Sequence, residues 1–183
     1  MHTFYTIQDI KTFCHRSPTG RYSLIIDAVL LIPLLIGLFD KSYLSKCSLT
    51  SSSYKDKDFD LIIEILRFFK PQIIVTPNIV TEVYNRTDNK IDGEKLHYFF
   101  TKVVDKLRNS EEHHIPLHNM LGLNFEILKE FGFADISIIQ AARDKQAVIL
   151  TDDRPLYDKF WKTTPMILYS NMRSTSLVDF MAR

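Results

Sequence analysis

Cysteine is scarce in this chain. Its 183 residues include only Cys14 and Cys47, at a spacing that fits no metal-ligand pattern. A thiolate metal site is therefore excluded. So few cysteines are read as a reduced intracellular protein, with a single disulfide as the lesser alternative. Excess charge is missing too, since 23 basic residues stand against 22 acidic ones for a net +1. No global field recruits nucleic acid, so any basic surface must be local. The most apolar run, residues 24–39, contains Asp27 and Pro33 and falls short of the roughly 20 clean apolar residues of a membrane span. With an N-terminus that does not read as a signal peptide, the expected location is the cytoplasm and no membrane partner is expected. The chain shows no internal repeat and no linker-like stretch. At 45% hydrophobic and 25% charged residues it is neither disordered nor fibrous. One domain over residues 1–183 is expected, with a helical extension at 1–21, a core at 22–170 and a terminal helix at 171–183.

Apolar runs too short for helices punctuate the chain. Residues 22–26 (Tyr-Ser-Leu-Ile-Ile), 72–75 (Gln-Ile-Ile-Val), 147–150 (Ala-Val-Ile-Leu) and 166–169 (Met-Ile-Leu-Tyr) read as strands buried on both faces of a parallel sheet. Between them lie segments of helical period. Thr6 and Asp9 form a capping-box-like start to a first helix, and a Pro18-Thr19-Gly20 turn follows it. Residues 29–39 continue as an apolar helix, in which Pro33 is tolerable only within the first turn or as a kink. Phe59, Ile62, Ile63 and Leu66 mark another helix, stopped by Lys70-Pro71, and Thr76-Pro77 caps and opens the next. Leu96, Phe99, Phe100, Val103, Val104 and Leu107 line one face of a further helix. Leu121, Phe125 and Leu128 lead into Gly132, where a new helix starts at Asp135. Pro155 opens a short helix through Trp161, and residues 176–182 form the last. Residues 42–57 read as a mobile polar loop and residues 110–119 as a second loop. Strands alternating with helices imply an α/β fold, a three-layer sandwich whose central, mostly parallel sheet is flanked by helices.

Four carboxylates occupy telling places in that scheme. Asp27 follows the first strand, Asp153 follows the third with Asp152 beside it, and Glu82 and Asp135 sit on helices flanking the sheet. In open α/β sheets, ligands bind in the crevice outside the carboxyl ends of the strands. Each acid alone reads equally well as a cap, a turn or a solvated helix residue. Together they are expected to share one pocket. Carboxylates crowded without lysine or arginine repel each other unless a cation neutralises them. Oxygen-only ligands suit a hard ion, Mg²⁺ or Mn²⁺. His113, His114 and His118 lack a completing Cys or Glu, so a zinc site there is not expected.

The order and spacing of these acids resemble the PIN domain nucleases. The resemblance runs over residues 22–170 and rests on an acid after an apolar strand (Asp27) and an acid after a strand followed by Thr-Pro (Glu82). It rests also on a Gly-x-x-Asp helix start (Asp135) and on a Thr-x-Asp after the last buried strand of the set (Thr151, Asp153). One departure stands out. Many members carry a polar residue two positions after the first Asp, and here that residue is Val29. Residues 42–57 and 92–119 also look longer than in a minimal member.

What the resemblance implies is metal-dependent hydrolysis of single-stranded or structured RNA, leaving a 5′ phosphate and a 3′ hydroxyl. Asp27 and Asp135 would ligate Mg²⁺ or Mn²⁺, Asp153 a second ion or a water, and Glu82 would be a ligand or a water-orienting base. Thr151 would hold the site by hydrogen bonding, with Asp152 in support. Arg154, Arg86 and Lys41 are candidate RNA contacts, with Tyr84 and Tyr43 as stacking rings. An inhibitory antitoxin-like protein and a homodimer belong to the same expectation. Two other readings remain open. A PIN-like scaffold that has lost catalysis would hold RNA or a protein. An aspartyl phosphohydrolase would want a second Asp where Val29 stands.

Overall fold

Five strands hydrogen-bond side by side, all parallel, in the order β3-β2-β1-β4-β5. They are β1 (Leu24–Ile26), β2 (Ile73–Val75), β3 (Glu111–Glu112), β4 (Val148–Thr151) and β5 (Met166–Leu168). This computed structural model describes residues 3–16, 22–69, 73–88, 90–122 and 125–181, with side chains through residue 175. Every residue of β1, β4 and β5 is buried, as a sheet covered on both faces requires. The α/β three-layer sandwich expected from the alternating pattern is the fold of the chain.

Among the described residues nine α-helices surround the sheet: α1 (Ile7–His15), α2 (Ala28–Phe39), α3 (Asp56–Phe68), α4 (Pro77–Asp88), α5 (Gly93–Leu107), α6 (Leu117–Leu121), α7 (Phe125–Lys145), α8 (Arg154–Phe160) and α9 (Tyr169–Met181). The Thr6–Asp9 capping box opens α1 as expected. Helix α2 is apolar all round and almost wholly buried, so it is a core helix and not a surface one. Gly37 lets it approach α3, since a Cβ there would run into the Phe59 ring. Among the described residues no helix is long and apolar enough to cross a membrane.

Several expectations are corrected. Pro33 lies in the second turn of α2, not the first, and removes one amide from the helix ladder. Residues 42–57 are not a bare loop. A 3-10 turn at Lys41–Ser45 and further turns pack Leu44, Cys47 and Tyr54 inward, and the buried Thr50 hydroxyl donates to Leu44 O at 2.7 Å. The 110–119 stretch is not all loop: it contains β3 and the start of α6, with Pro116 as the N-cap of that helix, so His114 stays outside it and His118 lies within it. The last helix begins at Tyr169, directly after β5. The Pro18-Thr19-Gly20 turn, the Lys70-Pro71 stop and the first residue of the expected second strand, Gln72, lie outside the described residues.

From β1 the chain winds outward through β2 to β3, and from β4 it winds the other way to β5. Right-handed crossovers therefore leave the two directions on opposite faces. The switch point falls between β1 and β4, whose pairing runs Leu24↔Val148, Ile25↔Ile149 and Ile26↔Leu150. Asp27 and Asp153 leave the sheet there.

Candidate active site

At the end of β1, the Asp27 amide donates to Leu150 O at 3.0 Å, so β1 and β4 stay paired up to the acid itself. Asp27 then takes the N-cap position of α2 without capping it. Its side chain, 4% exposed, instead accepts a 2.6 Å hydrogen bond at Oδ2 from Thr151 Oγ1. Thr151 has no exposed surface, and the same oxygen accepts from the Asp153 amide at 2.9 Å. One hydroxyl thus ties both strand ends. Burial pushes the Asp27 carboxyl up to about 6; the Thr151 bond opposes this, Glu82 adds to it, the nearby Val29 amide opposes it and Asp153 adds to it.

Asp135 arrives from another direction. Gly132 breaks α7 with φ 79° and ψ 179°, a conformation that favours glycine, and the helix restarts just beyond it. Asp135 is consequently in a first turn, as the Gly-x-x-Asp spacing predicts. Burial pushes its carboxyl up to about 7. Repulsion from Asp27, then Glu82, then Asp153 adds to the rise, while Arg86 pulls it back. The four expected acids therefore act on one another across the switch point.

A second hydroxyl pair fixes α4 against α7. Thr76, at the end of β2, and Ser137, on α7, meet at 2.7 Å with neither exposed. Ser137 Oγ donates onward to Ala134 O at 2.7 Å, so the Thr76 hydroxyl is the donor between the two side chains. Thr76 Oγ1 in turn accepts from the Ile79 amide at 3.3 Å, in the first turn of α4. Ser137 was not anticipated. A serine between two isoleucines is the only trace of it in the sequence, a polar residue on the buried face of an apolar helix.

Three expectations about this pocket change. The acids are not without a cation, because Arg86 pairs with Glu82 at 2.5 Å across one helical turn of α4. Arg86 is thereby placed as a partner of the acids and not as a free RNA contact. Asp153 also has structural work, since its Oδ1 accepts from the Leu156 amide at 2.8 Å and caps α8. Asp152 points elsewhere: Oδ1 accepts from the Ser170 amide at 2.9 Å and Oδ2 from the Tyr54 hydroxyl at 3.2 Å. Strand alternation past β4 thus sends Thr151 and Asp153 to one side and Asp152 to the other.

The remaining expected RNA contacts are dispersed. Lys41 bonds Asp60 at 2.7 Å on α3. Arg154 lies 3.9 Å from Asp158 along α8. Tyr43 packs against the core beneath Lys95, whereas Tyr84 is 49% exposed and tilts over Phe100. His113 pairs with Asp144 at 3.1 Å.

The chain matches no protein-family model and no curated protein.

What the site could hold follows from its donors. All are carboxylate oxygens, two of them on carboxyls raised by burial and mutual repulsion, which is an environment that a hard divalent cation relieves. Among the described residues no three acids, histidines or cysteines stand close enough to hold an ion as they are. Asp27 and Asp135 are the donors of fitting chemistry, with Glu82 available once Arg86 yields it.

Proposed function

We propose that the chain is a Mg²⁺- or Mn²⁺-dependent endoribonuclease of PIN-like type. The observation that carries this reading is the convergence at the sheet switch point of Asp27, Glu82, Asp135 and Asp153, each from a different element. Asp27 and Asp135 would hold the ion, with Asp153 in support. When bound, a divalent ion supplies an activated water and charge relief at the phosphate. Thr151 holds the rotamer of Asp27, and the Thr76–Ser137 pair holds α7, so both ligands are positioned in advance. Glu82 accepts a hydrogen bond from the attacking water and aligns it. The water oxygen bonds to phosphorus as the bond from phosphorus to the 3′ oxygen breaks, and the proton that the water gives up ends on that 3′ oxygen, which leaves a 5′ phosphate and a 3′ hydroxyl. No side-chain nucleophile is required.

The test is cleavage of a single-stranded RNA in Mn²⁺ by wild type, Asp27→Asn and Asp135→Asn. Each variant keeps shape and loses charge, so both should stay folded by circular dichroism and lose cleavage at least a hundredfold. Wild-type cleavage by either folded variant would sink the assignment.

A second reading, a PIN-like module that binds without cutting, draws on one observation. Arg86 occupies Glu82. Binding of RNA that chelator does not affect, without any cleavage in Mn²⁺, would select it.

A further inference from the structure

Beside the acids an open groove of about 450 Å³ runs between α4 and the break in α7, within the roughly 300–1,000 Å³ of small-ligand clefts. Asn78, Thr81, Glu82 and Asn85 line one wall at positions i, i+3, i+4 and i+7, a single face of α4. The other wall is the chain from Phe131 to Ala134. Phe133 is 46% exposed and, unlike Phe131 and Ala134, is not packed against the core. It directly follows Gly132, whose positive φ turns the backbone at that point.

The chemistry of the walls selects an occupant. Among the described residues Glu82 is the only charged one on these walls and neither lysine nor arginine lines the groove, so the walls described offer a phosphate no cation. An unpacked aromatic ring offers a face for stacking, and two amides offer paired donors and acceptors for a heterocycle's edge. Glu82 belongs both to the groove and to the acid cluster, so an occupant of the groove abuts the reacting centre.

We propose that this groove is a nucleobase subsite, in which Phe133 stacks on an unpaired base while Asn78 and Asn85 bond its edge. The proposal rests on the nuclease reading and names its substrate class: RNA whose base beside the scissile phosphate is unpaired. A duplex is rejected because its bases are stacked within the helix and cannot enter.

A short single-stranded RNA carrying 2-aminopurine tests it, since that base loses fluorescence when it stacks. Binding is measured in Mg²⁺ on the Asp135→Asn background, which blocks turnover and lessens repulsion of the phosphates, and cleavage is measured on the otherwise wild-type chain. Phe133→Ala should weaken binding about tenfold and abolish the quenching, Phe133→Trp should keep both, and the same probe in a duplex should bind as poorly as the alanine variant does to the single strand. In cleavage, Phe133→Ala should raise KM and leave kcat within about twofold. Cleavage by wild type together with unchanged binding and quenching in Phe133→Ala overturns the subsite and leaves the nuclease standing. Quenching that depends on Phe133, with no cleavage by wild type, upholds the subsite and overturns the nuclease. Absence of binding to the single strand overturns the subsite.

Discussion

Asp135→Asn should make the metal-free protein more stable at pH 8, against the usual direction of a point substitution. The folded carboxyl is held near 7 by burial and by Asp27, Glu82 and Asp153. In the unfolded chain it titrates near ~3.9. Between those values the folded chain keeps a proton that the unfolded chain has lost. Stability therefore falls as pH rises from about 4 to about 7, and the loss persists above that window. A separation of about three pH units corresponds to about 4 kcal/mol. Asp135 is half-buried, however, and solvent screening leaves roughly half of this, about 2 kcal/mol. Asparagine removes the charge and the penalty with it. For a chain of this size the gain is about 4 to 8 °C in Tm at pH 8, falling to roughly a third of that at pH 5 and vanishing below about pH 4, where Asp135 is protonated in the unfolded chain as well. Thermal melts by circular dichroism in chelator, from pH 5 to 8, measure it. Mn²⁺ at about tenfold to a hundredfold above Kd should then stabilise wild type by roughly 1.4 to 2.7 kcal/mol and the variant by much less. A variant less stable than wild type at pH 8, or a difference that ignores pH, would show that the acids do not strain the fold.

Arg86→Gln should act oppositely. It removes the cation that pairs Glu82 and tempers Asp135, costing about 1 kcal/mol without metal, while freeing Glu82 and tightening Mn²⁺ binding by about tenfold in calorimetry. Weaker Mn²⁺ binding in the variant would mean that Arg86 does not compete with the ion. The Asp152-Asp153 pair gives a crossed result. Asp153→Asn keeps an acceptor for the Leu156 amide, so Tm should hold while cleavage drops tenfold or more; Asp152→Asn gives up one of two accepted bonds, so Tm should fall by the equivalent of about 1 kcal/mol while cleavage holds. The reverse pattern in paired melts and cleavage assays would place Asp152 at the site.

Where sequence rules are local, they carried to the structure. The Thr6–Asp9 box and the glycine before Asp135 each depend on a few neighbouring dihedrals, and each appears in the fold. The order of apolar runs was enough for the sheet, apart from β3. That strand is Glu111-Glu112, two acids at an edge position, and its pairing with Ile74 and Val75 has no apolar signature to betray it. Residues 42–57 misled for a related reason. Their polarity is real, but a few inward groups, Leu44, Thr50 and Tyr54 among them, order the segment. Asp58 was missed as well; it accepts from the Tyr169 hydroxyl at 2.8 Å and pairs with Arg173 at 2.9 Å, a contact between α3 and α9. Arg86 shows the sharper limit. Its i, i+4 spacing from Glu82 is visible in the sequence, yet whether that face of α4 meets solvent or the acids depends on how α4 packs on α7.

That packing also bears on how the acids stay together without an ion. Four carboxylates and one guanidinium leave excess negative charge in a crevice, and repulsion alone would drive α4, α7 and the two strand ends apart. Thr151 opposes this by bonding Asp27 and the Asp153 amide at once, and Thr76 with Ser137 opposes it between β2 and α7. The Thr76–Ser137 pair is neutral and buried, so it neither titrates nor is screened by salt, and the Thr151 hydroxyl that bonds Asp27 is buried as well. The strain of the acids is consequently confined to their protonation, which is where burial and repulsion raise Asp27 and Asp135. A cation of the kind proposed would replace those protons by drawing the carboxyl groups closer than they now stand and by taking Glu82 from Arg86, so Arg86 would set how readily that change occurs.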